Sequence, residues 1–299
     1  MSNPTRTYAP VKPARSYEEQ AERLIKAHGL EIGVEQRVRA ILSTVNYYRL
    51  TTYGKHLRRA DDPEMFIPGV SLDDLYALYE FDMGLRHLIL PVLEFFEVQL
   101  RAKIAYHLAM TYGSTGYTDD ANFRQDKPSR GSHRDIMNKF RTEVRRCDDL
   151  AFVRHHQQTY GGLFPIWAAV ELFSFGMLAQ LYDVMTERDQ QAVSLEYGMS
   201  PQALASLIGS AVDVRNICAH YSRLYNQPIE ELPAPNPSCP ASETDRVFAL
   251  LLALRPVAGG HRVYADMIRG IARLHEEYPQ ADLALCGFPE DWEELLENN

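Results

Sequence analysis

Between Ser71 and Tyr112 the apolar residues Leu72, Leu75, Leu78, Tyr79, Leu85, Leu88, Ile89, Val92, Leu93, Phe96, Leu100, Ile104 and Leu108 recur every three or four positions. That is one face of a 3.6-residue period, and Ser71 stands where a helix cap belongs. The stretch predicts one long helix or two. Pro91 removes a backbone hydrogen bond, yet the stripe resumes in phase beyond it, so a kink is expected there. Upstream, Ser16-Tyr-Glu-Glu19 is a capping box that opens a short helix ending near Gly29, and Val34, Val38, Ile41, Leu42 and Val45 continue at helical spacing. Thr51–Val70, with Gly54, Pro63, Pro68 and Gly69, reads as a connection holding a short extended piece.

Downstream, Tyr112–Arg130 reads as a loop. A polar helix follows through Arg146, then another near Asp149–Tyr160 that Gly161-Gly162 ends. Pro165–Leu181, around Trp167, Phe173 and Phe175, predicts a buried helical segment. Ser200-Pro201, an N-cap before a first-turn proline, starts a helix expected to run to about Asn226, ahead of Pro228. Glu231–Ser242 carries Pro233, Pro235, Pro237 and Pro240 and reads as a linker, with helices over Val247–Leu254 and Val263–Leu274 after it. No repeat and no strand–helix alternation is visible, so the fold class is all-α, a helical bundle. The expected organisation is a flexible tail over 1–15, a helical domain over 16–229, the Pro-rich linker over 230–242 and a C-terminal helical extension over 243–299, acidic at its end.

Composition narrows the function classes. The chain has 299 residues, 45% hydrophobic and 24% charged, enough to bury a large core. No segment reaches the run of about 18 apolar residues that a membrane helix needs, so no membrane partner is expected. Met1–Arg15 has no apolar stretch after its basic residues and reads as a tail rather than a signal peptide. Cys147, Cys218, Cys239 and Cys286 are far apart and form no CxxC pair, which suggests neither a zinc knuckle nor a disulfide framework and fits a reducing cytoplasm; no metal and no cofactor are expected. A net charge of −9 argues against a protein that coats nucleic acid through phosphate neutralisation alone. Arg124–Arg154 is nevertheless net positive, either a solvated helix face or a local basic site.

The chemistry-bearing pattern lies in the helix after Ser200. At about 100° per residue, Ala211, Val214, Cys218, Tyr221 and Tyr225 share one side, and Asp213, Asn216, His220 and Arg223 the opposite one, with Arg215 at the flank. An amide, an imidazole and guanidinium groups together suit a phosphodiester. Arginine matches phosphate oxygens, histidine moves protons near neutral pH, and asparagine holds a hydroxyl or an imidazole. RNA supplies its own nucleophile in the 2′-hydroxyl, so this chemistry requires no metal. The motif holds a single histidine, where an acid and a base are both wanted, so two chains contributing one His220 each, a symmetric homodimer, are expected. Spacing alone does not separate this reading from a water-facing helix side or a satisfied polar cluster. A metal site at His155-His156 with Asp148 and Asp149 is disfavoured, because adjacent helical residues project about 100° apart.

The run Val214-Arg-Asn-Ile-Cys-Ala-His-Tyr-Ser-Arg-Leu-Tyr-Asn226 resembles the R-N-x-C-A-H-x-x-R-L-x-N signature of the Abi-like family of bacterial abortive-infection proteins, the AbiD/AbiF type. Ile41–Leu50, Leu78–Asp82 with Leu85-Arg86, Glu97–Leu108 and Pro165–Gly176 agree in order. The signature contains the R-x4-H pattern of the HEPN superfamily, whose active members resemble metal-independent RNases that work as dimers. The resemblance implies a HEPN-like bundle with additional N- and C-terminal helices and an endoribonuclease toxin in anti-phage defence. An antitoxin protein or inhibitory RNA would hold it in check. It gives Arg215 and His220 the catalytic roles, Asn216 a supporting one, and places Arg223 and Asn226 at signature positions. Glu97 and Arg101, four apart, match a polar pair in the family's long helix that a HEPN-like bundle brings beside the motif; an ordinary intrahelical ion pair is the alternative. A non-catalytic RNA-binding scaffold is the competing function.

Overall fold

The computed structural model describes residues 11–126, 130–230 and 244–297. These hold thirteen α-helices and no strand, an all-α architecture as the periodicity predicts. Residues 1–10 of the tail expected over 1–15, and all but residue 230 of the Pro-rich linker expected over 230–242, lie outside the described residues. The chain divides into two compact units, 1–81 and 82–299, at a point within a continuous helix rather than at the expected linker.

In the first unit, α1 (Tyr17–His28) starts on the predicted capping box. Ser16 Oγ accepts from the Glu19 amide at 3.2 Å, and the Glu19 carboxylate accepts from the Ser16 amide at 2.7 Å. Gly29, at φ +65°, ends it. Leu24, Val38, Ile41 and Leu42 bury the seam with α2 (Glu35–Thr44), and α3 (Tyr47–Tyr53) follows, capped by Asn46. The expected extended piece is one antiparallel bridge, Arg58 to Phe66, with a parallel bridge from Glu31 to Ser71. Ser71 and Asp74 then cap α4 (Leu72–Tyr112) reciprocally.

The second unit begins inside α4. The helix continues unbroken through Pro91. Proline costs a helix interior about 3 kcal/mol. Val92, Leu93, Phe96, Leu100, Ile104 and Leu108 are all fully buried, and burying two such side chains, at about 1.5–3 kcal/mol each, already offsets that cost. Next come α5 (His133–Arg146), α6 (Ala151–Thr159), α7 (Ile166–Ala169), α8 (Phe175–Val184), α9 (Glu187–Leu195) and α10 (Pro201–Ala219). The segment expected as a buried helix over Pro165–Leu181 tightens into a 3-10 turn at Val170–Leu172 and is broken at Phe173 and Ser174, where Ser174 caps α8. Trp167, expected in the core, is 58% exposed because α7 turns it outward.

α10 is the central helix, packed against α8, α9 and α11 (Val247–Ala258). α12 (Arg262–Glu277) and α13 (Trp292–Glu297) complete the unit. The C-terminal helices are therefore part of the same body as α10. Two glycines fit α12 to α4: a Cβ on Gly84 would meet Leu274 at 2.5 Å, and one on Gly270 would meet Leu88 at 2.3 Å.

Candidate functional site

α10 starts as its sequence requires, with Ser200 Oγ accepting from the Ala203 amide at 3.2 Å and proline in the first turn. Leu204, Leu207, Ile208, Ala211, Val214 and Cys218 face the core. Burial pushes the Cys218 thiol up to about 12, so it packs as a small apolar group rather than serving as a nucleophile.

The helix ends at Ala219, seven residues short of the expected Asn226. His220 is its C-cap. The Ser222 amide donates to the Ile217 carbonyl at 2.9 Å and the Tyr221 amide to the Cys218 carbonyl at 3.3 Å, the paired bonds of a Schellman turn. Such a turn needs a left-handed residue, usually glycine. Here Tyr221 adopts it, at φ +56°, and is 67% exposed instead of packing in the apolar stripe.

What captures the chain beyond the turn comes from α4. Asp82, fully buried, accepts from the Leu224 amide at 2.9 Å and the Tyr225 amide at 2.7 Å. Arg86, four residues on and also buried, pairs with Asp82 and donates to the Ser222 carbonyl at 3.1 Å. Tyr225 is buried, its hydroxyl accepting from the Asp282 amide at 3.1 Å, and Asn226 takes a second left-handed conformation, at φ +51°. Asn226 thus serves the backbone turn. Asp82 and Arg86, which fall in blocks that agree with the family, are site-building residues to which the sequence reading gave no role; an acid and an arginine four apart on the stripe of Leu78, Phe81, Leu85 and Ile89 were the available signal.

The outward side of α10 and this turn line an open cleft of about 460 Å³. Asp213, Asn216, His220 and Arg223 all face it, together with Gln227 and Glu230. His220 is exposed, and its imidazole makes no hydrogen bond to any other described residue. Arg223 Nη2 donates to Gln227 Oε1 at 2.9 Å. Burial raises the Asp213 carboxyl above its ordinary value, and the negative charge of Glu230 adds to this against the pull of Arg130.

Arg215 stands at the flank of the cleft. Its Nη1 donates to Asn216 Oδ1 at 3.0 Å, its Nη2 reaches Glu97 Oε2 at 3.4 Å, and its guanidinium carbon lies 5.7 Å from the Phe175 ring centre. Glu97 also accepts from Arg101 Nη2 at 2.9 Å. Arg101 in turn donates to the carbonyls of Phe173, at 3.0 Å, and Val170, where the chain breaks between α7 and α8. Glu97 therefore belongs both to an intrahelical pair and to the motif's surroundings, and Arg101 satisfies backbone rather than facing the cleft.

Among the described residues no three His, Cys, Asp or Glu side chains converge in a way that would hold a metal ion. His156 stacks on Phe164 with its Nδ1 on the Phe152 carbonyl at 2.8 Å, and His155 contacts Thr159.

The family model described as Abi-like protein matches residues 40–226, more than half of the chain, and ends on the left-handed asparagine that closes the turn. The chain belongs to the Abi-like family. No curated protein and no solved structure matches this Abi-like protein. Membership points to abortive infection as its setting. Among its described residues no helix is long and apolar enough to cross a membrane.

Proposed function

We propose that this Abi-like protein is a cytoplasmic, metal-independent endoribonuclease of the HEPN type that acts in abortive infection. The observation that carries the reading is His220: an exposed imidazole, without a bonded partner among the described residues, at the mouth of a cleft whose rim also holds Asn216 and Arg223. Arg223 and Arg215 supply positive charge for the phosphate, and Asn216 links Arg215 to the cleft. The 2′-oxygen attacks phosphorus as a base removes its proton, and the 5′-oxygen leaves with a proton from an acid. The products carry 2′,3′-cyclic phosphate and 5′-hydroxyl ends. Because the cleft holds one histidine among the described residues, the second proton-transfer group comes from His220 of a second copy across a dimer axis. An antitoxin protein or an inhibitory RNA restrains the activity outside infection.

Incubation with RNA in EDTA tests the reading. Wild type yields cyclic phosphate ends and His220→Ala loses at least about 100-fold in rate, whereas equal cleavage by both removes His220 from the mechanism. One observation favours a second reading, a non-catalytic RNA-binding scaffold: Arg215 is already engaged by Glu97 and Asn216. RNA binding by wild type with no cleaved product would select it.

A further inference from the structure

We propose that the first unit carries a groove for single-stranded RNA, built from residues other than those of the His220 cleft. Two adjoining clefts, of about 680 and 540 Å³, share Tyr48, Thr51 and Arg58 and so form one two-lobed groove. Lys12, Arg15 and Arg23 line the first lobe, Lys55 and Arg59 the second, and among the described residues no Asp or Glu lines either. In a chain with 40 acidic and 31 basic residues, that segregation is the opposite of the average surface.

The cations are largely unspent. Lys12, Arg15, Arg23 and Lys55 form no ion pair with any described residue, while Arg59 pairs with Asp61. Arg58 is held rigidly, donating to the Pro63 and Glu64 carbonyls at 2.8 and 2.9 Å with its guanidinium carbon 4.7 Å from the Phe66 ring centre. The aromatic groups differ in the same useful way. Tyr47 is pinned by a 2.8 Å bond between its hydroxyl and Nε2 of buried His28, whose Nδ1 donates to the Glu64 carbonyl at 2.7 Å. Tyr48, the next residue, is 78% exposed at the junction of the lobes, where no packing explains an aromatic ring.

Cations spread along a groove follow a phosphate backbone, whereas a small anion draws them to one point. An exposed ring among them offers a stacking platform for an unpaired base, which a duplex cannot present. The preference for RNA over DNA rests on the reading of the His220 cleft; the groove itself does not.

The test measures anisotropy of a labelled, unstructured 12-nucleotide RNA with the full chain carrying His220→Ala, so that the probe is not consumed. Tyr48→Ala is expected to weaken binding about tenfold, and Tyr48→Phe, which keeps the ring, to bind as the parent does. Arg15→Glu with Arg23→Glu is expected to weaken it at least tenfold and to flatten the slope of log affinity against log salt by about 1.4, for two lost phosphate contacts. Duplex RNA should be insensitive to Tyr48→Ala. The groove is refuted if all variants bind within twofold of the parent, or if Tyr48→Phe falls as far as Tyr48→Ala. Equal affinity for a single-stranded DNA 12-mer of the same sequence overturns the assignment to RNA. Cleavage is read separately in otherwise wild-type protein. Tyr48-dependent binding without cutting sinks the nuclease reading alone, and cutting with Tyr48-independent binding sinks the groove alone.

Discussion

Replacing Asp82 by alanine should be the most damaging small change near the motif, although Asp82 lies over a hundred residues from it in sequence. The substitution strips the Leu224 and Tyr225 amides of their acceptor and leaves the Arg86 guanidinium, 5% exposed, with the Ser222 carbonyl as its other bond on this turn. Breaking a buried ion pair from one side costs about 3–5 kcal/mol, because the surviving charge is stranded. Arg86→Ala should cost less, about 2 kcal/mol, since the Asp82 carboxylate keeps two charge-assisted bonds from backbone amides. The double alanine variant should cost less than the two added together, by about 1–3 kcal/mol of coupling. For a unit of this size, spanning 82–299, a loss of about 4 kcal/mol lowers the melting temperature by roughly 8–16 °C. Denaturant unfolding of the three variants gives the cycle. Hydrogen exchange over residues 220–227 locates the effect, because the Asp82 variant should deprotect that peptide first. A cost below about 1 kcal/mol for Asp82→Ala, or equal costs for the two single variants, would falsify the claim that Asp82 anchors the turn.

Three further substitutions probe the site's own residues. Glu97→Gln removes the carboxylate that competes with phosphate for Arg215, so RNA affinity in the His220→Ala background should rise two- to fivefold, in keeping with a partly exposed pair worth up to about 1 kcal/mol; unchanged or weaker binding in an anisotropy titration argues against Arg215 as a phosphate group. At left-handed Tyr221, valine should be about 1–2 kcal/mol less stable than asparagine, which tolerates positive φ, and equal denaturation midpoints would show that the turn is not strained. Asp213 has a folded-state pKa above its ordinary 3.8, so folding favours its protonated form; that contribution is present below pH 3.8 and is lost as pH rises through the raised folded value. Asp213→Asn should therefore be more stable than wild type at pH 7, with the gain vanishing below pH 3.8; a loss of stability at pH 7 contradicts the sign.

Several elements are legible in local signals of the chain. The Ser16–Glu19 box, the α4 stripe and the Ser200-Pro201 start each act within a few residues, and each stands where expected. No element is predicted over 182–199, yet α9 opens there on a local signal of the same kind, Thr186 Oγ1 accepting from the Asp189 amide. The division between units at 81 and 82 has no punctuation to announce it, because it falls inside an uninterrupted helix.

Asp213, Asn216, His220 and Arg223 line one cleft, but not by the continuous helix that their spacing predicts. A helix through Asn226 would bring Arg223 beside His220 by turn spacing, yet the helix stops at Ala219, and Arg223 reaches the same cleft by way of the Schellman turn. Helical spacing cannot reveal that stop, because nothing near Tyr221 demands it: no glycine follows the C-cap, and tyrosine is a poor left-handed residue. The stop is held in place by contacts from α4, where Asp82 takes the Leu224 and Tyr225 amides that would otherwise donate back along a longer helix. Reading it from sequence would require treating two charged residues on an apolar stripe as an unpaid debt to some distant backbone. The same reasoning separates the signature's letters. Cys218, Leu224 and Asn226 are explained by burial and backbone conformation, and Arg215 by its bonds, whereas neither packing nor bonding among the described residues accounts for His220. A histidine that the architecture does not use is the one whose presence points to chemistry, and it is there that mutation should divide activity from stability.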